Sequence, residues 1–224
     1  MLVNLKSEGK AVVIFGGGSE GYRKTSDFVA AGAKVLVVSR SFSAGIRKLE
    51  EEGRISLRKA EVEDAEAFVK NLKPKPDVLV AVTSSRDLNA QLIGYGKSVG
   101  CMVYAPDNPA SSDFVLPATA RVGDVRIAIS TDGRSPAMAR VLRQRIERMI
   151  TQQDLLQIKL QEHAREFLKR RVPDQKVRRQ LLYEILDDET IRGLLLEGKL
   201  IEAQKAAAKI IENYRKDVKE AQPE

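Results

Sequence analysis

The stretch AVVIFGGGSEGYRK, residues 11–24, decides how this sequence is read. Five apolar residues run without a polar break, end on three glycines and lead into a helical pattern. Residues 11–16 read as a buried strand and the glycines as the turn that ends it. Gly16, Gly18 and Gly21 fall at the spacing G-x-G-x-x-G. In that motif the first glycine makes the tight turn, the second lets an anion approach the backbone, and the third lets helix and strand pack closely. A pyrophosphate would rest on the helix N-terminus, where free N–H groups and the helix dipole favour negative charge. Without the strand before it and the helix after it, the same spacing is only a tight turn.

Outward from this turn the pattern repeats. Residues 34–38, 77–82 and 101–105 are further apolar runs, and 55–58 is a weaker one. Helical patterns over 20–31, 43–52, 64–72 and 87–99 separate them. Strands alternating with helices predict βαβ units, and continuous apolar strands predict a parallel sheet covered on both faces. The fold class is therefore α/β, with a Rossmann-type domain over residues 1–108. Beyond it FVLPATARV and DVRIAIST read as a hairpin turning at Gly123-Asp124, and Ser135-Pro136 reads as the cap and first turn of a helix. This gives a hairpin-helix segment over 109–150. Residues 151–224 show only helical periodicity and are expected to form an all-helical C-terminal domain.

Composition narrows the function. No window approaches the length of a membrane span, and MLVNLKSEGK lacks the apolar core of a signal peptide, so a cytoplasmic protein is expected. Cys101, the single cysteine, sits in an apolar run and reads as a buried structural thiol. The net charge is +7, and residues 115–150 carry seven arginines against Asp124, Asp132 and Glu147. That excess suits an anionic ligand. Aromatic residues make up 5% and do not interleave with the basic ones, which argues against nucleic acid. No His, Cys or carboxylate cluster has metal-ligand spacing, and His163 reads as a helix-surface residue.

The second strand ends VLVVSRSF, placing Ser39-Arg40 where a carboxylate would meet the adenosine ribose. Arg40 can meet a 2′-phosphate, stack on adenine or lie in solvent. Thr83, in AVTSS, closes the fourth strand at the edge where such sheets bind ligands, or else satisfies the strand end. Asp107, in YAPDNP, is a turn aspartate on its local pattern alone. Arg134 and Arg140 read either as a solvated helix face or as forks for substrate carboxylates.

Taken in order, NLKSEGKAVVIFGGGSEGYRK, AGAKVLVVS, AVTSSRDLN, DNPASSDFVLPA and IAISTDGRSPAMARVLRQRIE resemble the precorrin-2 dehydrogenase family, the dehydrogenase/ferrochelatase part of siroheme synthase. The likeness is close over about residues 1–150 and looser in the tail. It implies a homodimer built by the hairpin and the following helix. It implies oxidation of precorrin-2 to sirohydrochlorin with NAD, and in some members insertion of iron or cobalt. By position, Ser19, Glu20, Arg40 and Ser41 fall where the family contacts NAD, and Asp107 falls on its important aspartate. Thr131 falls where some siroheme synthases carry a phosphorylatable serine. Thr83-Ser84-Ser85 replaces a more acidic pattern, and Asp132 stands where glycine is frequent. No second βα domain follows, so the methyltransferase half of the fused enzyme is not expected. NADP is the alternative cofactor. Two other readings stand beside the dehydrogenase: a protein acting mainly as a metal chelatase, and a nucleotide-sensing regulator.

Overall fold

In the computed structural model, residues 4–220 are described, and side chains through Tyr214. The chain divides into two compact units, Met1–Leu116 and Pro117–Glu224. Among the described residues no helix is long and apolar enough to cross a membrane.

The first unit is a five-stranded parallel sheet with helices on both faces. The strands are β1 (Ala11–Phe15), β2 (Lys34–Ser39), β3 (Ile55–Lys59), β4 (Val78–Ala81) and β5 (Met102–Tyr104). The helices are α1 (Ser19–Ala30), α2 (Ala44–Glu51), α3 (Ala65–Lys70) and α4 (Arg86–Ser98). The sheet order is β3-β2-β1-β4-β5, so β1 is central and the winding reverses between β1 and β4. Alternation along the strands builds two cores. Val13, Phe15, Leu79, Ala81 and Val103 pack with Ala65, Val69, Leu92 and Ile93 of α3 and α4. Val12, Ile14, Val35, Val37 and Val80 pack with Phe28, Ile46 and Leu49 of α1 and α2. β4 is buried along its whole length because both faces are covered, which is why its sequence has no polar alternation. Each such side chain contributes about 1.5–3 kcal/mol by leaving water. Cys101 is buried and donates to the Pro76 carbonyl, 3.1 Å away. Burial raises its thiol above the ordinary range, which keeps it protonated and inert.

The second unit opens with the antiparallel hairpin β6 (Ala118–Val122) and β7 (Val125–Ile129), which turns through Gly123-Asp124. Gly123 has φ +57°, the conformation a two-residue turn needs at its first central position. Helix α5 (Pro136–Met149) packs on the hairpin, and the Ser135 side chain caps it by accepting from the Met138 amide. The Thr131 hydroxyl accepts from the Ser135 amide at 3.1 Å, and Asp132 holds a positive φ of 50° where a glycine would be unstrained. Helices α6 (Gln152–Arg171), α7 (Gln175–Asp187), α8 (Glu189–Leu196) and α9 (Leu200–Glu220) enclose a separate core that includes Leu160, Leu168, Ile185, Ile191, Leu195 and Ile211. Thr151 and Asp154 form a reciprocal capping box at the start of α6. His163 is exposed on α6.

Candidate cofactor cleft and its neighbouring carboxylate

A cleft of about 550 Å³ opens at the carboxyl edge of the sheet. It lies where the winding reverses, the place at which open parallel sheets take their ligands. The glycine turn forms its floor. Gly16 has φ +130°, and a Cβ there would strike the Val82 carbonyl. A Cβ on Gly21 would strike the Gly16 carbonyl, and one on Gly17 the Ser41 carbonyl. These three glycines pack backbone against backbone. Gly18 differs: a Cβ there meets nothing within 4 Å. It is the N-cap of α1 and offers no capping side chain. The first N–H groups of the helix are thus left for a ligand. Ser19 and Glu20 follow on the cleft wall. The Arg23 fork grips the Glu20 carboxylate at 2.6 and 3.1 Å. Partial burial raises the Glu20 carboxyl, but Arg23 and Lys24 outweigh it and hold the group below its ordinary value.

At the far end of the cleft stand Ser39, Arg40 and Ser41, after β2. The Arg40 guanidinium pairs with Glu61 at 3.0 Å, and Glu61 also lines the cleft. The carboxylate absent from β2 is therefore supplied from the loop after β3. That is a tertiary placement, set by pairing of Ser39 with Lys59, and the sequence pattern carries no mark of it.

Thr83 lies on the opposite wall. Its amide and hydroxyl both donate to Asn89 Oδ1, at 3.0 and 2.7 Å. Asn89 Nδ2 in turn donates to Asp107 Oδ2 at 3.1 Å. Asp107 is exposed on the loop after β5, and its carboxylate bonds to Asn89 and not to its own turn. Asn89 is a residue the motif reading missed. Its signal was a polar side chain on the buried stripe it shares with Leu92 and Ile93. Lys24 was missed for the same reason. It is only 4% exposed, on the buried stripe of α1 with Gly21 and Phe28, and donates to the Tyr104 hydroxyl at 3.2 Å. Arg134 and Arg140 belong to the second unit and are exposed there. Among the described residues no three His, Cys, Asp or Glu side chains gather as a metal site.

A parallel sheet with helices on both faces, a glycine turn at its switch point and an uncapped helix above it define a Rossmann-like fold. Comparisons agree. A family model described as "Putative NAD(P)-binding" matches residues 3–118, and one described as "Sirohaem biosynthesis protein central" matches 122–149. A precorrin-2 dehydrogenase of Methanosarcina barkeri is 31% identical over 94% of this chain and 92% of its own length. A siroheme synthase of Methylococcus capsulatus is 32% identical over 92% of this chain but only 43% of its own. The solved structure of SirC, precorrin-2 dehydrogenase, superposes with a TM-score of 0.75 at 22% identity, covering 93% of this chain and 99% of that one. The chain belongs to the precorrin-2 dehydrogenase family, which is also the N-terminal part of siroheme synthase.

Proposed function

We propose that this protein oxidises precorrin-2 to sirohydrochlorin, with NAD as the hydride acceptor. Family membership supports an enzymatic role in siroheme biosynthesis. The reading rests on one observation: Asp107 is tied through Asn89 to Thr83, so a carboxylate is anchored to the wall of the nucleotide cleft.

The residues present fit the dinucleotide. Gly18 leaves the space that a side chain would fill, and the open N-terminus of α1 suits a pyrophosphate. Arg40, Ser41 and Glu61 would meet the adenosine ribose, and Thr83 the other half of the cleft. Bound there, NAD would accept the hydride that leaves the tetrapyrrole. Asp107 Oδ2 is held by Asn89, and Oδ1 is the oxygen left to receive the substrate's proton. Arg134 and Arg140 would draw the substrate's carboxylates, for which guanidinium forks are well shaped.

Homodimerisation through the hairpin and α5 is part of the same reading. Met138, Val141 and Met149 are exposed on α5, an apolar face suited to a second copy. A chelatase step, with iron or cobalt as substrate, would use the same Asp107. The test is direct: purified protein and precorrin-2, with and without NAD, followed by absorbance. Appearance of the sirohydrochlorin chromophore only with NAD is the expected result. Metal insertion into sirohydrochlorin without any dehydrogenation would instead make the protein a chelatase.

A further inference from the structure

We infer that Asn89 is a positioning residue that fixes Asp107 from behind the cleft and couples it to the cofactor wall. The inference rests on the reading of Asp107 as the proton acceptor. Asn89 is 4% exposed and sits on the stripe of α4 that packs into the core. Its Nδ2 donates to Asp107 Oδ2 at 3.1 Å and to the Thr83 carbonyl at 3.2 Å. Its Oδ1 accepts from the Thr83 amide at 3.0 Å and the Thr83 hydroxyl at 2.7 Å. A carboxamide has two N–H donors and one oxygen with two lone pairs, so every bond it can make is made.

This saturation sets the direction of the amide. Turning it over would put NH2 against the Thr83 N–H, and the amide oxygen against both the Thr83 carbonyl and the Asp107 carboxylate. The backbone at the end of β4 therefore decides that Asp107 meets a donor. An N–H donor fixes the orientation of the carboxylate it meets. It also confines one oxygen and leaves the other free.

Stability alone does not call for the last of these bonds. Burying an amide requires that it be satisfied. Asp107, however, is exposed, and water could serve it. The bond reaches from a buried helix position to a loop 18 residues further on. The charged groups nearby are otherwise engaged or outward. Asp113 accepts from the Val103 amide at 2.9 Å and lies 3.7 Å from Lys97. Tyr104 takes Lys24, while Arg86 and Asp87 at the start of α4 are exposed.

The test compares Asn89→Asp, Asn89→Ser and Asp107→Asn with the parent. Asn89→Asp keeps acceptors for Thr83 but sets a second carboxylate against Asp107. In the ligand-free protein, carbon-13 NMR titration of the Asp107 carboxyl should move to higher pH than in the parent, because a second carboxylate faces it. The acid limb of kcat should follow it, while NAD affinity stays within about threefold because the Thr83 amide and hydroxyl keep their acceptor and only the Thr83 carbonyl loses its donor. An unmoved titration in folded Asn89→Asp overturns the inference. Should that variant not fold, Asn89→Ser decides: its hydroxyl can serve Thr83 but cannot span to Asp107. A fall in kcat of about tenfold at unchanged NAD affinity is expected, and an unchanged kcat overturns the inference. Full turnover in Asp107→Asn would sink the catalytic reading of Asp107 alone, since the titration reports positioning whether or not Asp107 takes a proton.

Discussion

The Arg40 guanidinium and the Glu61 carboxylate lie 3.0 Å apart at the end of the cleft beside β2. Both are largely exposed, so the pair adds little to stability. Its effect is on charge. An unpaired arginine there would welcome a 2′-phosphate, whereas an arginine already matched by a carboxylate does not. NAD should therefore be preferred. Glu61→Gln frees the guanidinium, and a charge-assisted bond of about 1.5–3 kcal/mol to the phosphate becomes available. That corresponds to a gain in kcat/KM for NADP of roughly 10- to 150-fold. Steady-state rates with both cofactors, for the parent, Glu61→Gln and Arg40→Ala, check it. A parent that prefers NADP and loses the preference in Arg40→Ala would reverse the assignment.

Two glycines of one turn should fail in different ways. Gly18→Val places its side chain in open space, so the protein should melt at the parent temperature yet show no heat of NAD binding by calorimetry. Gly21→Ala drives a methyl into the Gly16 carbonyl and should lower the melting temperature by several degrees. Normal NAD binding by Gly18→Val would remove the pyrophosphate from this turn.

Asp107→Ala should cut turnover about 100-fold or more and leave NAD affinity nearly unchanged, because the carboxylate lies across Asn89 from the cleft wall. Retained dehydrogenation with lost metal insertion would assign the residue to the chelatase step. Full retention of both activities would return it to a turn role.

The helical unit has its own acid sensitivity. The Thr151 backbone amide, together with the Thr151 hydroxyl, holds the Asp154 carboxyl below its ordinary value. A carboxyl lowered in the folded state stabilises above its unfolded value, and that stabilisation is lost as pH falls through the folded value. Melting followed by circular dichroism should show the Asp154→Asn variant losing less stability than the parent between neutral pH and about pH 3. Thr151→Ala should cost about 1 kcal/mol at neutral pH. Parallel pH profiles for parent and Asp154→Asn would contradict the assignment.

Much of this architecture is written locally. The run at residues 11–15 and the glycines after it give strand, turn and helix without reference to anything distant, and the hairpin follows from Gly123-Asp124 in the same way. The strand ends agree to about one residue because apolar runs stop where the covering helices stop. The site is less legible because its partners meet only in space. Glu61 reaches Arg40 through the pairing of β2 with β3. Asp107 reads as a turn residue in its own loop, and its tie to α4 needs the sheet between them. Asn89 and Lys24 did leave a trace, as polar side chains on helix faces otherwise committed to the core.

Helix α1 begins at Gly18 without a capping side chain. A serine or aspartate there would stabilise the empty protein by only about a few tenths of a kcal/mol over glycine. It would also occupy the ground the pyrophosphate needs. The empty form is thus left less stable than its own sequence could make it, and the difference is returned only when a dinucleotide binds. With ligand at 100 times its dissociation constant, mass action adds about 2.7 kcal/mol to the folded state. If a dinucleotide binds as proposed, loading would therefore lower the unfolded population that proteases attack. Gly18→Ser would weaken that link, because its side chain would cap the helix and compete with the ligand for the same N–H groups.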